Sequence, residues 1–182
     1  GKARRGKEAR IFIKVNSVTD RELIDKLAQA SQAGVQVTLN VRGICCLRPG
    51  VPGLTDHIRV FSVVGRFLEH SRIYSFGEGN LRQMYVSSAD IMTRNQERRV
   101  EVACPVESPE LRDFLWDYLE RILADNVKAR RLLPDGSYVP AGSGQGEPVS
   151  VQQYYLDHPP ELTPTQAPKQ TGGGWLRRLL HR

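Results

Sequence analysis

Val35-Gln36-Val37-Thr38-Leu39-Asn40-Val41 alternates apolar and polar side chains with a period of two, the pattern of a strand that buries one face. Upstream, Ala9-Arg10-Ile11-Phe12-Ile13-Lys14-Val15 reads as a second strand. Between them Leu23, Ile24, Leu27, Ala28 and Ala30 recur at helical spacing. Thr19 or Asp20 serves as the N-cap of this helix, and Gly34 closes it. A strand, a helix and a strand joined by so short a return predict that the two strands pair in parallel.

Outward from this unit, residues 42–56 are too rich in Gly and Pro to be regular throughout. Residues 58–64, 70–76, 83–87 and 99–105 read as further strands, with Gly77 and Gly79 turning the chain between two of them. Ser108-Pro109-Glu110 starts a second helix, whose apolar face is Leu111, Phe114, Leu115, Tyr118, Leu119 and Ile122. The expected fold class is α/β, a mixed β-sheet flanked by helices. Beyond Pro140 the glycine-rich run 141–146 and the proline-bearing run 158–168 bury too little apolar surface to order themselves, so 141–182 is expected to be a flexible tail. Within it, Trp175-Leu176-Arg177-Arg178-Leu179-Leu180 reads as an accessory segment in preference to a weak membrane contact.

With 182 residues, 40% apolar and 25% charged, the chain has the composition of a soluble globular domain. It holds no run near the roughly 20 apolar residues that span a bilayer, and no signal-peptide pattern. Three cysteines, Cys45, Cys46 and Cys104, lack the Cys-x-x-Cys spacing of zinc or redox sites and read as reduced thiols, Cys45 and Cys46 as small packing residues, and no metal site is assigned. The net charge of +6 is concentrated at the start, where Lys2, Arg4, Arg5, Lys7, Arg10 and Lys14 oppose Glu8 alone. Residues 1–8 are therefore set apart as a basic leader, read as a solvated charge run. Aromatics are only 7% and sit mostly at core-like positions, which disfavours a nucleic-acid partner read by base stacking.

The chemistry is concentrated in Gly65-Arg66-Phe67-Leu68-Glu69-His70-Ser71-Arg72. Two positions apart on an extended segment, His70 and Arg72 share a face, so a group that exchanges protons near neutral pH stands beside a permanent cation. Glu69 faces the other way and receives no catalytic role. Arg42 follows the apolar strand 35–41, where ligand loops emerge from open α/β sheets, and Ser87-Ser88-Ala89-Asp90 closes another strand with hydroxyls and a carboxylate. Arg42, His70 and Arg72, with Ser88 and Asp90 in support, would converge into a pocket for oxyanions. A lone histidine beside a glutamate is more often structural, and this company is what favours a site.

Val41-Arg42-Gly43-Ile44-Cys45-Cys46-Leu47-Arg48-Pro49-Gly50, the run from Gly65 to Ile73, Ser87 to Asn95, Arg98 to Val102 and Ala124 to Arg130 together closely resemble the last catalytic domain of bacterial polyphosphate kinase of the first type. The resemblance covers about residues 9–140. It implies a phospholipase D-like half and reversible transfer of the ATP terminal phosphate to polyphosphate through a phosphohistidine, with Mg2+. The phosphorylated histidine belongs to the upstream catalytic half. The chain, which opens at Gly1, is accordingly read as a fragment, inactive alone, whose Mg2+ ligands lie elsewhere. His70 matches the second histidine, a proton donor and acceptor or hydrogen-bonding stabiliser, and Arg42 the arginine on the nucleotide phosphates. Arg72 replaces the lysine of the phospholipase D pattern His-x-Lys.

The implied partners are ATP/ADP, polyphosphate, the upstream half and further copies in a homo-oligomer. The implied location is cytoplasmic, with a peripheral position at the inner membrane left open. Gly77 stands where the wider pattern has an aspartate, which argues against a phosphodiester hydrolase. A non-catalytic polyanion-binding module is the other reading left open.

Overall fold

The structure, a computed structural model, describes residues 9–142 and 146–161. The basic leader 1–8 and the segment 175–180 lie outside the described residues. β1 (Arg10–Val15), α1 (Arg21–Gln32) and β2 (Gln36–Val41) form the expected unit, with β1 and β2 parallel from Arg10 opposite Gln36 to Val15 opposite Val41. Asp20 caps α1 by accepting the Leu23 N–H at 2.9 Å, and Gly34 leaves the helix at φ 84°, a conformation that costs glycine least.

β3 (Ile58–Val63) adds to β2 in parallel, while β4 (Arg72–Phe76) lies antiparallel on the other side of β1. β5 (Gln83–Ser87), α2 (Thr93–Glu97), β6 (Ala103–Pro105), α3 (Pro109–Ala124), β7 (Ala129–Leu132), β8 (Tyr138–Pro140) and α4 (Val151–Asp157) follow. The strands form one mixed sheet in the order β6-β5-β4-β1-β2-β3-β7-β8. Helices flank it, as the fold class anticipates.

Alternation along β1 and β2 divides the core between the two faces. Ile13, Val15, Val37, Leu39, Val41, Ile58 and Val60 pack with Leu27 of α1. Phe12, Val63, Ile73 and Met84 pack with Leu119 and Ile122 of α3 and Val151 of α4. Each such side chain contributes about 1.5–3 kcal/mol when fully buried, so α1 and α3 are held by the sheet more than by their own propensity.

Four differences from the sequence reading have local causes. β4 begins at Arg72, so His70 sits in the loop before the strand instead of within it. β6 is confined to Ala103–Pro105: beyond it the Ser88 N–H still donates to the Val102 carbonyl at 3.0 Å, but the Val102 N–H turns to the Ser88 hydroxyl at 3.0 Å instead of returning a main-chain bond. β7 and β8 form an edge hairpin turning at Asp135-Gly136, with Gly136 at φ 91°. Finally, part of the tail expected to be flexible from 141 onward is packed: α4 lies within it, and Val151 is 1% exposed.

The buried Asp125 carboxylate organises that packing. One oxygen accepts the N–H groups of Val127, Lys128 and Ala129, and the other accepts that of Val151 at 3.0 Å. Asn126 adds bonds to Val149 and Glu147. The end of α3, the start of β7 and the start of α4 are thereby tied to one point.

Candidate active site

Parallel β1 and β2 end together at Val15 and Val41, and the ladder continues past them, with Arg42 N–H donating to the Val15 carbonyl and Gly43 N–H to that of Asn16. A Cβ on Gly43 would lie 3.0 Å from the Asn16 carbonyl oxygen, so this close approach suits glycine. Because β4 is antiparallel to β1, it starts at the same end, where Lys14 stands opposite Ile73. β5 ends there too, with Ser87 opposite Arg72. The three strand ends that carry Arg42, His70-x-Arg72 and Ser88-x-Asp90 thus meet at one edge of the sheet.

A chain of hydrogen bonds joins four of the five expected residues. Asp90, 5% exposed, accepts Arg72 through Nε at 3.3 Å and Nη2 at 2.9 Å, a two-point ion pair. Its Oδ1 also accepts the main-chain N–H of Asn16 at 2.6 Å and the Asn16 side-chain amide at 3.1 Å. Asn16 in turn accepts Arg42 Nε at 3.0 Å. At the other end, Arg72 Nη1 is 3.1 Å from His70 Nδ1 and from the His70 carbonyl. A guanidinium can only donate, so Nδ1 accepts and the ring proton sits on Nε2.

Among the described residues, the Arg42 side chain donates through its Nε alone. Its two terminal amino groups keep the planar fork that matches two phosphate oxygens. Arg72, by contrast, spends much of its fork on Asp90. Ser88 does not join this chain: its hydroxyl bonds Glu101 and caps the end of β6. Gly77 closes the far end of β4 at φ 91°, donating to the Arg10 carbonyl, so a carboxylate there would stand a strand's length from Arg72.

Behind the edge lies a cation that the sequence reading did not single out. Lys14, 1% exposed, places Nζ 3.5 Å from Glu69 Oε2 and donates to the Ser71 carbonyl at 3.1 Å. Burial pushes its pKa down, the Glu69 carboxylate opposes this, and the charges of Arg42 and Arg72 push further down. Lys14 therefore feels both site arginines. Its signal in the sequence is a lysine between the apolar Ile13 and Val15 of a strand. Glu69 does face away from Arg72, accepting the Tyr118 hydroxyl at 2.6 Å.

The donor set does not fit a divalent cation. Both Asp90 oxygens are taken up by Arg72 and Asn16, and among the described residues no three His, Cys, Asp or Glu side chains come together. Hard cations need several free oxygen ligands. What the edge can hold is an anion.

Burial pushes the Asp90 carboxyl up, but the hydrogen bonds from Arg72 and Asn16 outweigh it and leave the pKa below the ordinary 3.8. A depressed carboxylate stabilises the fold above its unfolded value and loses that contribution as pH falls through the folded one. Asp90→Asn should therefore be less stable than the parent by a constant amount above pH 3.8, and the gap should narrow as pH falls below it. Urea unfolding across this range measures it. A gap that persists unchanged in acid would contradict the ion pair's role.

The family model described as Polyphosphate kinase C-terminal domain 2 matches residues 1–152. The chain belongs to the polyphosphate kinase family. It is 51% identical over 145 residues to the polyphosphate kinase of Thermosynechococcus vestitus, covering 80% of this chain and 20% of that one. The polyphosphate kinase of Bacillus cereus is 51% identical over 142 residues, 78% of this chain and 20% of the relative. The crystal structure of polyphosphate kinase from Porphyromonas gingivalis superposes with a TM-score of 0.81 at 41% identity, over 86% of this chain and 24% of that one. The chain spans about one fifth of the length of these curated polyphosphate kinases.

Proposed function

We propose that this domain is the C-terminal catalytic half of an ATP-polyphosphate phosphotransferase, working on a phosphoryl group delivered from the upstream half. The observation that carries the reading is the free Arg42 fork at the same sheet edge as His70 and Arg72. Phosphoryl transfer spreads charge over equatorial oxygens, and a preorganised guanidinium binds two of them without reorganising. Arg42 grips the phosphates of ATP or ADP, and Arg72, fixed by Asp90, supplies a second positive pole. His70, with its proton on Nε2, donates to the phosphoryl oxygen or leaving group and recovers the proton in the reverse direction.

In this reading the nucleophilic histidine that forms the phosphohistidine lies on the upstream half, and the terminal phosphate of ATP passes through it to the end of polyphosphate. Mg2+, expected for the family, would be held by groups other than those described at this edge. ATP/ADP and polyphosphate are the substrates, and a homo-oligomer is the expected assembly. Among the described residues no helix is long and apolar enough to cross a membrane, and a cytoplasmic location is proposed. Ser88 is left as a supporting residue acting through the strand end.

The test is direct. The complete protein should convert ATP and Mg2+ into acid-insoluble polyphosphate, and the purified 182-residue chain should not. Sustained synthesis by this chain alone would overturn the assignment of the nucleophile elsewhere. Cleavage of a phosphodiester by the complete protein, without ATP-coupled synthesis, would favour a hydrolase. Polyphosphate binding without either activity would favour a binding module.

A further inference from the structure

Residues 64–71, which carry His70 from the end of β3 to the start of β4, have no regular structure of their own, and Leu68 is 69% exposed. Their main chain is nevertheless held at several points, one of them from a helix near the end of the described chain. Gln152 of α4 treats Phe67 as a strand neighbour would: its Oε1 accepts the Phe67 N–H at 2.9 Å and its Nε2 donates to the Phe67 carbonyl at 2.9 Å. The same Nε2 donates to Glu69 Oε1 at 2.9 Å. Glu69 is held at its other oxygen by Tyr118 of α3, and Lys14 of β1 donates to the carbonyls on either side of His70, those of Glu69 at 3.5 Å and Ser71 at 3.1 Å. Such a loop would otherwise sample many conformers.

We propose that α4 is a positioning element for His70, with Gln152 as the latch that fixes the loop on which the imidazole is presented. The proposal rests on His70 acting in phosphoryl transfer. A side-chain amide of this length both donates and accepts at one peptide at any pH, whereas an ionised Glu would lose the donor and set a carboxylate against Glu69. The helix is itself anchored, by Asp125 on the Val151 N–H and by edge contacts of Tyr155 with Tyr118 at 5.6 Å and Phe114 at 6.2 Å. Gly65 completes the fit: a Cβ there would collide with the Gln152 amide, lying 2.8 Å from its Cδ. Gly65 and Gln152 therefore act as a pair, and a methyl at 65 displaces the latch without touching the core.

The experiment uses the complete enzyme. Misplacing a catalytic group by about 1 Å can cost on the order of 10²-fold, so Gln152→Ala and Gly65→Ala should each lower kcat about 10- to 100-fold while KM for ATP stays within about twofold. The double variant should fall no further than the lower single, because both changes remove the same latch. In a His70→Ala background, Gln152→Ala should have no further effect on the residual rate. Thermal unfolding checks that each variant is folded, and Gly65→Ala serves where Gln152→Ala is not. Wild-type kcat in either folded single variant, or multiplying effects in the double, would overturn the latch. A His70→Ala enzyme of full activity would instead overturn the role of His70 itself.

Discussion

In the complete enzyme, His70→Ala should slow polyphosphate synthesis by about 10²- to 10⁴-fold, the usual contribution of a positioned proton donor and acceptor. The fold should survive, because His70 is exposed in a loop and fills no core space. Ile73 remains buried at 2% exposure, and the Arg72 pair with Asp90 keeps its own geometry. Arg72 would lose only its contact to Nδ1. Initial rates of acid-insoluble product from ATP, with circular dichroism as the folding check, measure the effect. A fall of less than a few-fold, in a folded variant, would remove His70 from the chemistry.

Arg42→Ala removes the free fork and its charge, and Arg42→Lys keeps a charge but offers one ammonium in place of two aligned N–H groups. Loss of one preorganised donor typically costs about 2.7–4 kcal/mol of transition-state stabilisation, so the alanine variant should lose about 10²–10³ in kcat/KM for ATP, with lysine between it and the parent. Structural damage should be small. Asn16 loses one of its partners but keeps both hydrogen bonds to Asp90. Unchanged ATP kinetics in both variants would refute the assignment.

Much of this architecture could be read from residues alone, since the signals were local. Alternation in 35–41, a capped helix from Asp20 and an apolar face from Leu111 to Ile122 each specify an element without reference to the rest of the chain. β7 escaped because Arg130 and Arg131 interrupt any alternation, and its pairing depends on Phe61 and Ser62, far away in sequence. α4 escaped because its composition is that of a tail, while its order comes from Asp125 and Gln152. The site followed the same division. Arg42, His70, Arg72 and Asp90 stood out by residue type at strand ends, whereas Asn16, Lys14 and Gln152 owe their roles to partners more than twenty residues away, such as Arg42, Ser71 and Phe67. Ser88 stood in the right stretch but turns its hydroxyl to Glu101 and Val102, just before β6.

The division of labour proposed between the two halves, with His70 assisting and another histidine carrying the phosphoryl group, is tested by mapping the phosphorylated peptide. The complete enzyme, exposed briefly to ATP labelled in its terminal phosphate and digested under alkaline conditions, should yield an acid-labile, alkali-stable labelled peptide from the upstream half. The peptide spanning Glu69 to Arg72 should be unlabelled. Label on that peptide would make His70 the carrier of the phosphoryl group and contradict the helper role assigned to it.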